Sequence, residues 1–151
     1  MSAAGIYARE FDSLDCFVQL GVAGDRVISV SFPRERPIDA GTDHELLDRV
    51  GDYLAGAEDD FADVPVGLTL PTDQRRVLEA IRNVPYGERI DVELAARMTP
   101  DLDHDSEDGR RTVRDALTAN PVPPFVPDHR VDGAPSGAPD RVARAFRELE
   151  A

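Results

Sequence analysis

The chain has 151 residues, 41% hydrophobic and 31% charged, which suits one ordinary domain or two small ones around a workable core. It carries 20 Asp and 10 Glu against 17 Arg, three His and no Lys, for a net charge of −13. Its one cysteine, Cys16, excludes an internal disulfide framework and a multi-cysteine metal site, and no apolar run approaches the ~18–20 residues that span a bilayer.

The first residues, MSAAGIYARE, lack the basic start and apolar stretch of a signal peptide, so a cytoplasmic protein is expected. The segment 16–32, CFVQLGVAGDRVISVSF, predicts two short strands around a Gly24-Asp25 turn. Residues 43–56 place Leu46, Leu47, Val50 and Leu54 at helical spacing, with Thr42 or Asp43 as the N-cap. Residues 55–71, AGAEDDFADVPVGLTLP, show no sustained period and read as a linker. The domain boundary is expected near Val66, dividing 1–66 from 67–151.

The second half is mostly helical. Residues 71–85 predict a helix with Thr72 as N-cap and Val77, Leu78 and Ile81 inward, stopped by Pro85-Tyr86-Gly87. DVELAARM (91–98) predicts a short helix capped by Asp91, with Leu94, Ala95 and Met98 inward. DLDHDSED (101–108) reads as a solvated loop. In 109–120, Val113, Ala116 and Leu117 face the core, while Arg111, Arg114 and Thr118 share the opposite face. The four prolines of 120–133, NPVPPFVPDHRVDG, exclude helix and central strand, leaving an extended segment that presents Asp128-His129-Arg130. A last amphipathic helix carries Val142, Phe146 and Leu149. Helix, short helix, loop, arginine-faced helix and extended segment is the order of a helix-turn-helix with a following wing; a generic helical bundle would share it.

Charge divides unevenly. Residues 1–66 hold 14 acids and 5 Arg, and residues 67–151 hold 16 acids and 12 Arg, with five of those acids inside 101–108. The arginine-rich half is the one suited to an anionic partner. An acidic, lysine-free surface is the pattern of proteins from salt-accumulating microbes. At molar salt the Debye length falls to roughly 3 Å. Acidity then does not exclude DNA; it excludes long-range charge as what holds it.

Residues 72–98 followed by NPVPPFVPDHRV (120–131) resemble the C-terminal domain of the alkylguanine-DNA alkyltransferases, the methylated-DNA–protein-cysteine methyltransferases. The matching pieces are Pro85-Tyr86-Gly87-Glu88, Leu94-Ala95, Arg111, Asn120-Pro121 and Pro127-Asp128-His129-Arg130-Val131. The resemblance is weaker but consistent in order over 1–66. It implies an α+β fold: a small, ribonuclease-H-like N-terminal sheet domain, then a winged helix-turn-helix that binds duplex DNA in the minor groove. It implies that Arg111 fills the gap left by a flipped base, a task that suits a planar, stacking guanidinium. Arg114 and Thr118 would contact phosphate, and Asn120 would brace the recognition helix against the loop. Arg130 would anchor that loop more than it meets DNA, and Val92 stands where the family has a base-rotating tyrosine. These six form the expected DNA-binding set. His129 matches the relay histidine, and Glu150, in preference to Glu148, the final glutamate.

One departure matters most: the acceptor cysteine is replaced by Asp128. Cys16 matches no acceptor motif and reads as a small buried hydrophobe. A thiolate attacks an sp³ carbon readily, whereas a carboxylate is a weaker, resonance-stabilised nucleophile. The expectation is an alkyltransferase-like DNA-repair protein that recognises alkylated guanine without transferring the alkyl group. The alternatives are an acceptor or hydrolase using Asp128, with His129 and Glu150 behind it, and a general winged-helix DNA-binding or regulatory protein. His129 is left with orienting Asp128 or the loop. The residues 132–141, DGAPSGAPDR, replace the family lid and imply either a wide pocket or no functional pocket. An ionised Asp128 would repel a guanine oxygen unless burial kept its proton on. Downstream excision-repair proteins are possible partners, a monomer is expected, and Cys16 with His44 is too little for a zinc site, so no metal or cofactor is implied.

Overall fold

The computed structural model describes residues 5–151. The fold is α+β. Strands β1 (Gly5–Phe11), β2 (Cys16–Ala23) and β3 (Arg26–Ser31) form an antiparallel meander in that order. The turn between β2 and β3 is Gly24-Asp25, as expected, and Gly24 takes the left-handed φ of +64° that such a turn requires. Strand β1 is an addition to the two strands predicted. Only Ala8 of its residues is buried, so a sheet-edge strand of this kind leaves little apolar alternation to read. Central β2 is buried on both faces, and Cys16 is part of that core.

Both sheet edges are covered, which removes them as templates for another chain. Gly41 exchanges backbone hydrogen bonds with Ile6 and Ala8 on one side, and Val27 bonds Pro65 and Gly67 on the other. Through the second contact, residues 65–67 of the expected linker are docked on β3. Upstream, Phe61 is fully buried at a left-handed φ of 54°. That conformation is costly for a bulky residue. It is offset by edge-to-face packing on Tyr53 and Phe125 and by the Arg49 guanidinium 5.4 Å above the ring.

Helix α1 (Glu45–Leu54) is capped by His44, whose Nδ1 accepts from Leu46 N, rather than by Thr42 or Asp43. Helix α2 (Thr72–Ile81) buries Val77, Leu78 and Ile81 as expected. Thr72 is its first residue and not its cap; Pro71 holds that place without a side-chain bond. A short strand β4 (Ile90–Asp91) leads into α3 (Val92–Met98), capped by Asp91 as predicted. Its inward stripe is Val92, Ala95 and Ala96, the i, i+3, i+4 set counted from the true start. Leu94 is turned outward and 41% exposed.

Helix α4 (Glu107–Thr118) begins earlier than expected. Ser106 caps it, so the acidic run supplies the cap and first turn instead of remaining wholly loop. Helices α2, α3 and α4 pack on one another. A 3-10 turn (Asp128–Arg130) follows, then β5 (Val131–Asp132), which pairs in parallel with β4, and α5 (Asp140–Glu150) closes the chain. The two halves share one hydrophobic cluster that runs from Leu20, Val50 and Tyr53 to Leu117, Phe125 and Phe146. Among the described residues no helix is long and apolar enough to cross a membrane.

Candidate functional site

The extended segment is held from three sides. Val30 N of β3 donates to the carbonyl of Pro121 at 2.7 Å, the β4–β5 pair fixes its far end, and α5 packs along the 3-10 turn. Its valines and Phe125 are buried, so the prolines thread it through the core rather than along the surface. Asp128, His129 and Arg130 arrive there each only 1% exposed.

Burial obliges each of them to find partners. Asp128 finds three donors. Ser136 Oγ donates to Oδ1 at 2.6 Å, and Asn120 Nδ2 and Gly137 N donate to Oδ2 at 2.9 and 2.7 Å. A carboxylate offers about four lone-pair positions, and three are taken. Burial pushes the Asp128 carboxyl above the ordinary range, against those hydrogen bonds, which favour its ionised form. Asn120 also donates to Val126 O at 3.0 Å and accepts from Val122 N at 3.1 Å. These bonds tie the end of α4 to the loop, and Asn120 is itself buried.

The loop 132–139 is shut over Asp128. Gly137 approaches the Asn120 carbonyl so closely that a Cβ there would lie 2.2 Å from the oxygen, so only glycine permits the contact. The small residues of this loop lie closed over Asp128.

Glu150 organises a second network. His129 Nε2 lies 2.7 Å from Oε2, Arg130 forks onto both oxygens at 2.8 and 2.9 Å, and the Tyr53 hydroxyl donates to Oε2. Gly87 N adds a donor to Oε1 at 3.2 Å. Burial alone would raise the Glu150 carboxyl. The hydrogen bonds and charges of His129 and Arg130 outweigh it and hold the group well below the usual carboxylate range. Burial, and then the neighbouring carboxylate, push the Tyr53 phenol up. The geometry selects Glu150 over Glu148 as the partner of His129.

Several expected roles change. His129 makes no hydrogen bond to Asp128; its Nε2 faces Glu150, and its Nδ1 is buried with no partner among the described residues. Asp128, His129 and Glu150 are therefore not one relay. Arg130 is turned into the protein: besides Glu150 it donates to Val84 O at 2.8 Å and lies 5.9 Å from the Tyr86 ring. Val92 is a core residue. Tyr53, Ser136 and Gly137 were missed. Nothing in the sequence marks Tyr53 apart from the other residues of its helix, and the other two look like any small loop residues in a linear reading.

The expected outer face of α4 does form. The Arg111 side chain is 65% exposed, 3.5 Å from Asp108, and Arg114 lies 3.5 Å from Glu107, which also pairs with Arg110 at 3.1 Å. Such exposed pairs are weak and exchangeable. The Thr118 hydroxyl donates back to Arg114 O at 3.0 Å, so a phosphate contact requires it to rotate.

Residues 72–149 match the family described as 6-O-methylguanine DNA methyltransferase, DNA binding domain. A methylated-DNA–protein-cysteine methyltransferase of Metallosphaera sedula is 26% identical over 113 residues, covering 71% of this chain and 66% of that protein. One of Methanopyrus kandleri is 34% identical over 94 residues, covering 60% of this chain and 64% of that protein. The matched region thus spans under two thirds of these relatives. Mycobacterium tuberculosis OGT in complex with DNA superposes with a TM-score of 0.70 at 24% identity, covering 96% of this chain and 91% of that one, which shows a common fold. With a family match across more than half its length, this chain belongs to the 6-O-methylguanine DNA methyltransferase family.

Proposed function

We propose that the protein binds duplex DNA in the minor groove and recognises alkylated guanine without taking the alkyl group, as an alkyltransferase-like member of its family. One observation carries this reading. The group at the acceptor position is a carboxylate buried to 1% exposure and tied down by three hydrogen bonds, so it lacks both the nucleophilicity and the access that transfer requires. A base can reach it only when Ser136 and Gly137 release it. Its raised pKa favours an acid that donates to a guanine oxygen over a carboxylate that repels it.

The rest of the molecule supports DNA as the partner. Helices α3 and α4 are read as the two helices of a winged helix-turn-helix, with the β4–β5 pair in the place of the wing, and the sheet with α1 as the ribonuclease-H-like unit over 1–66. Arg111 is the stacking finger, and Arg114 with Thr118 meets the backbone. The lysine-free acidic surface is read as adaptation to high internal salt in a cytoplasmic monomer that marks lesions for excision-repair proteins. A second reading, DNA binding without lesion preference, is favoured by the shut loop and by the buried Val92 in place of a tyrosine.

The test is binding, in molar potassium chloride, to matched duplexes with and without one O6-alkylguanine, followed by intact mass. Preference for the lesion, no added mass and loss of binding in Arg111→Ala are expected. Equal affinity for both duplexes would select the second reading, and an alkyl mass on the wild-type protein would overturn the absence of transfer. Asp128→Cys, which restores a thiol, tests whether the remaining framework can still deliver a base.

A further inference from the structure

A second cluster lies outside this site, where β3 and the chain leading into α2 face one side of α2. Arg26, Val66, Leu68, Arg75, Glu79 and Arg82 line an open cleft of about 500 Å³ there. The sequence places Arg75 and Arg82 two turns apart on one helical face, with Glu79 between them. Arg26 enters from the opposite wall. It begins β3 immediately after the Gly24-Asp25 turn, beside the strand-like segment 65–67.

Charge makes the cluster unusual. The protein has nearly twice as many acids as arginines, and Arg76, the neighbour of Arg75, pairs with Asp101 at 3.3 Å. Among the described residues, Arg26, Arg75 and Arg82 form no ion pair with any carboxylate. Three cations and one acid line the cleft, with Asp60 and Asp63 also near enough to act on Arg82, so the lining itself is positive within a negative surface.

Arg82 is also pre-set. Its Nη2 donates to the carbonyls of Phe61 and Val64, each at 2.8 Å, which fixes the guanidinium plane from behind. Its Nε is buried without a partner, and its Nη1 makes no protein hydrogen bond among the described residues. A clamped guanidinium loses little freedom when an anion binds it; with both Nη2 hydrogens taken, it offers a fixed charge and single donors from Nη1 rather than a two-donor fork.

We infer that this cleft binds a phosphate group, with Arg75 and Arg26 as the mobile arms and Arg82 as the fixed donor. The phosphate belongs either to a DNA backbone passing this side of the molecule or to a free phosphate or small phosphomonoester. The site is separate from the Asp128 pocket, and the inference does not rest on lesion recognition.

The test uses the full chain, inorganic phosphate and an undamaged duplex, in molar potassium chloride to suppress diffuse attraction. Binding is followed by calorimetry and by the arginine Nε–H resonances. Saturable phosphate binding is expected, with Arg75→Gln weakening it about tenfold, the Arg26→Gln/Arg75→Gln pair abolishing it and Glu79→Gln tightening it. Arg82 is left intact because it ties down the 61–64 loop; thermal melts confirm folding, and Arg75→Gln alone serves if the pair fails to fold. If the variants also weaken duplex binding and phosphate competes with duplex, or if only duplex binding responds, the source is the DNA backbone. If duplex affinity is unchanged while phosphate binding is lost, the source is a free phosphate group. Phosphate and duplex affinities that are both indifferent to these substitutions would overturn the inference.

Discussion

Asp128 and Glu150 are two acids withdrawn from water in neighbouring parts of one site, and they have opposite preferences for a proton. Asp128 accepts only from neutral donors, the Ser136 hydroxyl, the Asn120 amide and the Gly137 backbone, and burial leaves its carboxyl raised. Glu150 faces the Arg130 guanidinium and the His129 ring as well as Tyr53, and its carboxyl is depressed. Asp128 is the more deeply buried of the two, yet burial would raise both carboxyls; the charge of the partners is what reverses the direction at Glu150. The Glu150 network is an anchor that ties the 3-10 turn to α1 and α5. The Asp128 network is a latch that closes a loop.

The comparison breaks most visibly if the anchor is cut. Glu150→Ala strands a buried guanidinium and should cost about 3–5 kcal/mol, read from urea unfolding midpoints at unchanged slope. Asp128→Ala strands only neutral donors and should cost less, about 1–3 kcal/mol. Equal losses in the two variants would mean that partner charge is not what distinguishes the sites. Gly137→Ala, which pushes a methyl into the Asn120 carbonyl, should loosen the latch at a cost of about 1–3 kcal/mol. It should speed amide exchange in 132–139 without disturbing α5.

Stability against pH sharpens the contrast by sign. The folded state keeps the Asp128 proton after the unfolded chain has lost it near about pH 3.9. Its contribution is therefore full below that value and is lost as pH rises through the raised folded pKa. Glu150 does the reverse: its contribution is present above about pH 4.3 and is lost as pH falls toward the depressed folded value. Asp128→Asn should consequently be most destabilising on the acid side, and Glu150→Gln most destabilising near neutrality. Denaturation from about pH 3 to about pH 8 at fixed salt gives both slopes, and parallel slopes would refute the assignment.

The smallest expected effect lies on α4. Glu107→Gln with Asp108→Asn frees Arg110, Arg111 and Arg114 from weak, exposed pairs. Folding should be unaffected, while duplex affinity should rise at low salt and converge with the parent protein in molar potassium chloride.

Much of this molecule is legible in one dimension because local periodicity and turn chemistry are local physics. The Val77, Leu78, Ile81 stripe, the Gly24-Asp25 turn and the Asp91 cap all form as read. The misreadings have definable causes. Strand β1 buries little, so it carries little pattern. Leu94 and Met98 offer a larger apolar stripe than Val92 and Ala96 in so short a helix, and size does not reveal which face the fold buries. The acidic run was read as loop because its charge hid Ser106 as a cap.

The sequence by itself determined that an aspartate, a histidine and an arginine stand in a row at 128–130 behind a proline-rich segment, and that Glu150 closes the last amphipathic stretch. Only the tertiary structure decided that the aspartate is latched by residues 8 and 9 positions downstream, and that Glu150 serves an arginine and a tyrosine as well as the histidine. Tyr53 and Glu150 lie 97 positions apart, and Arg130 and Val84 lie 46 apart. Helical and strand periods act over a few residues, whereas the proton affinity of a buried carboxyl depends on whichever charges the fold brings beside it.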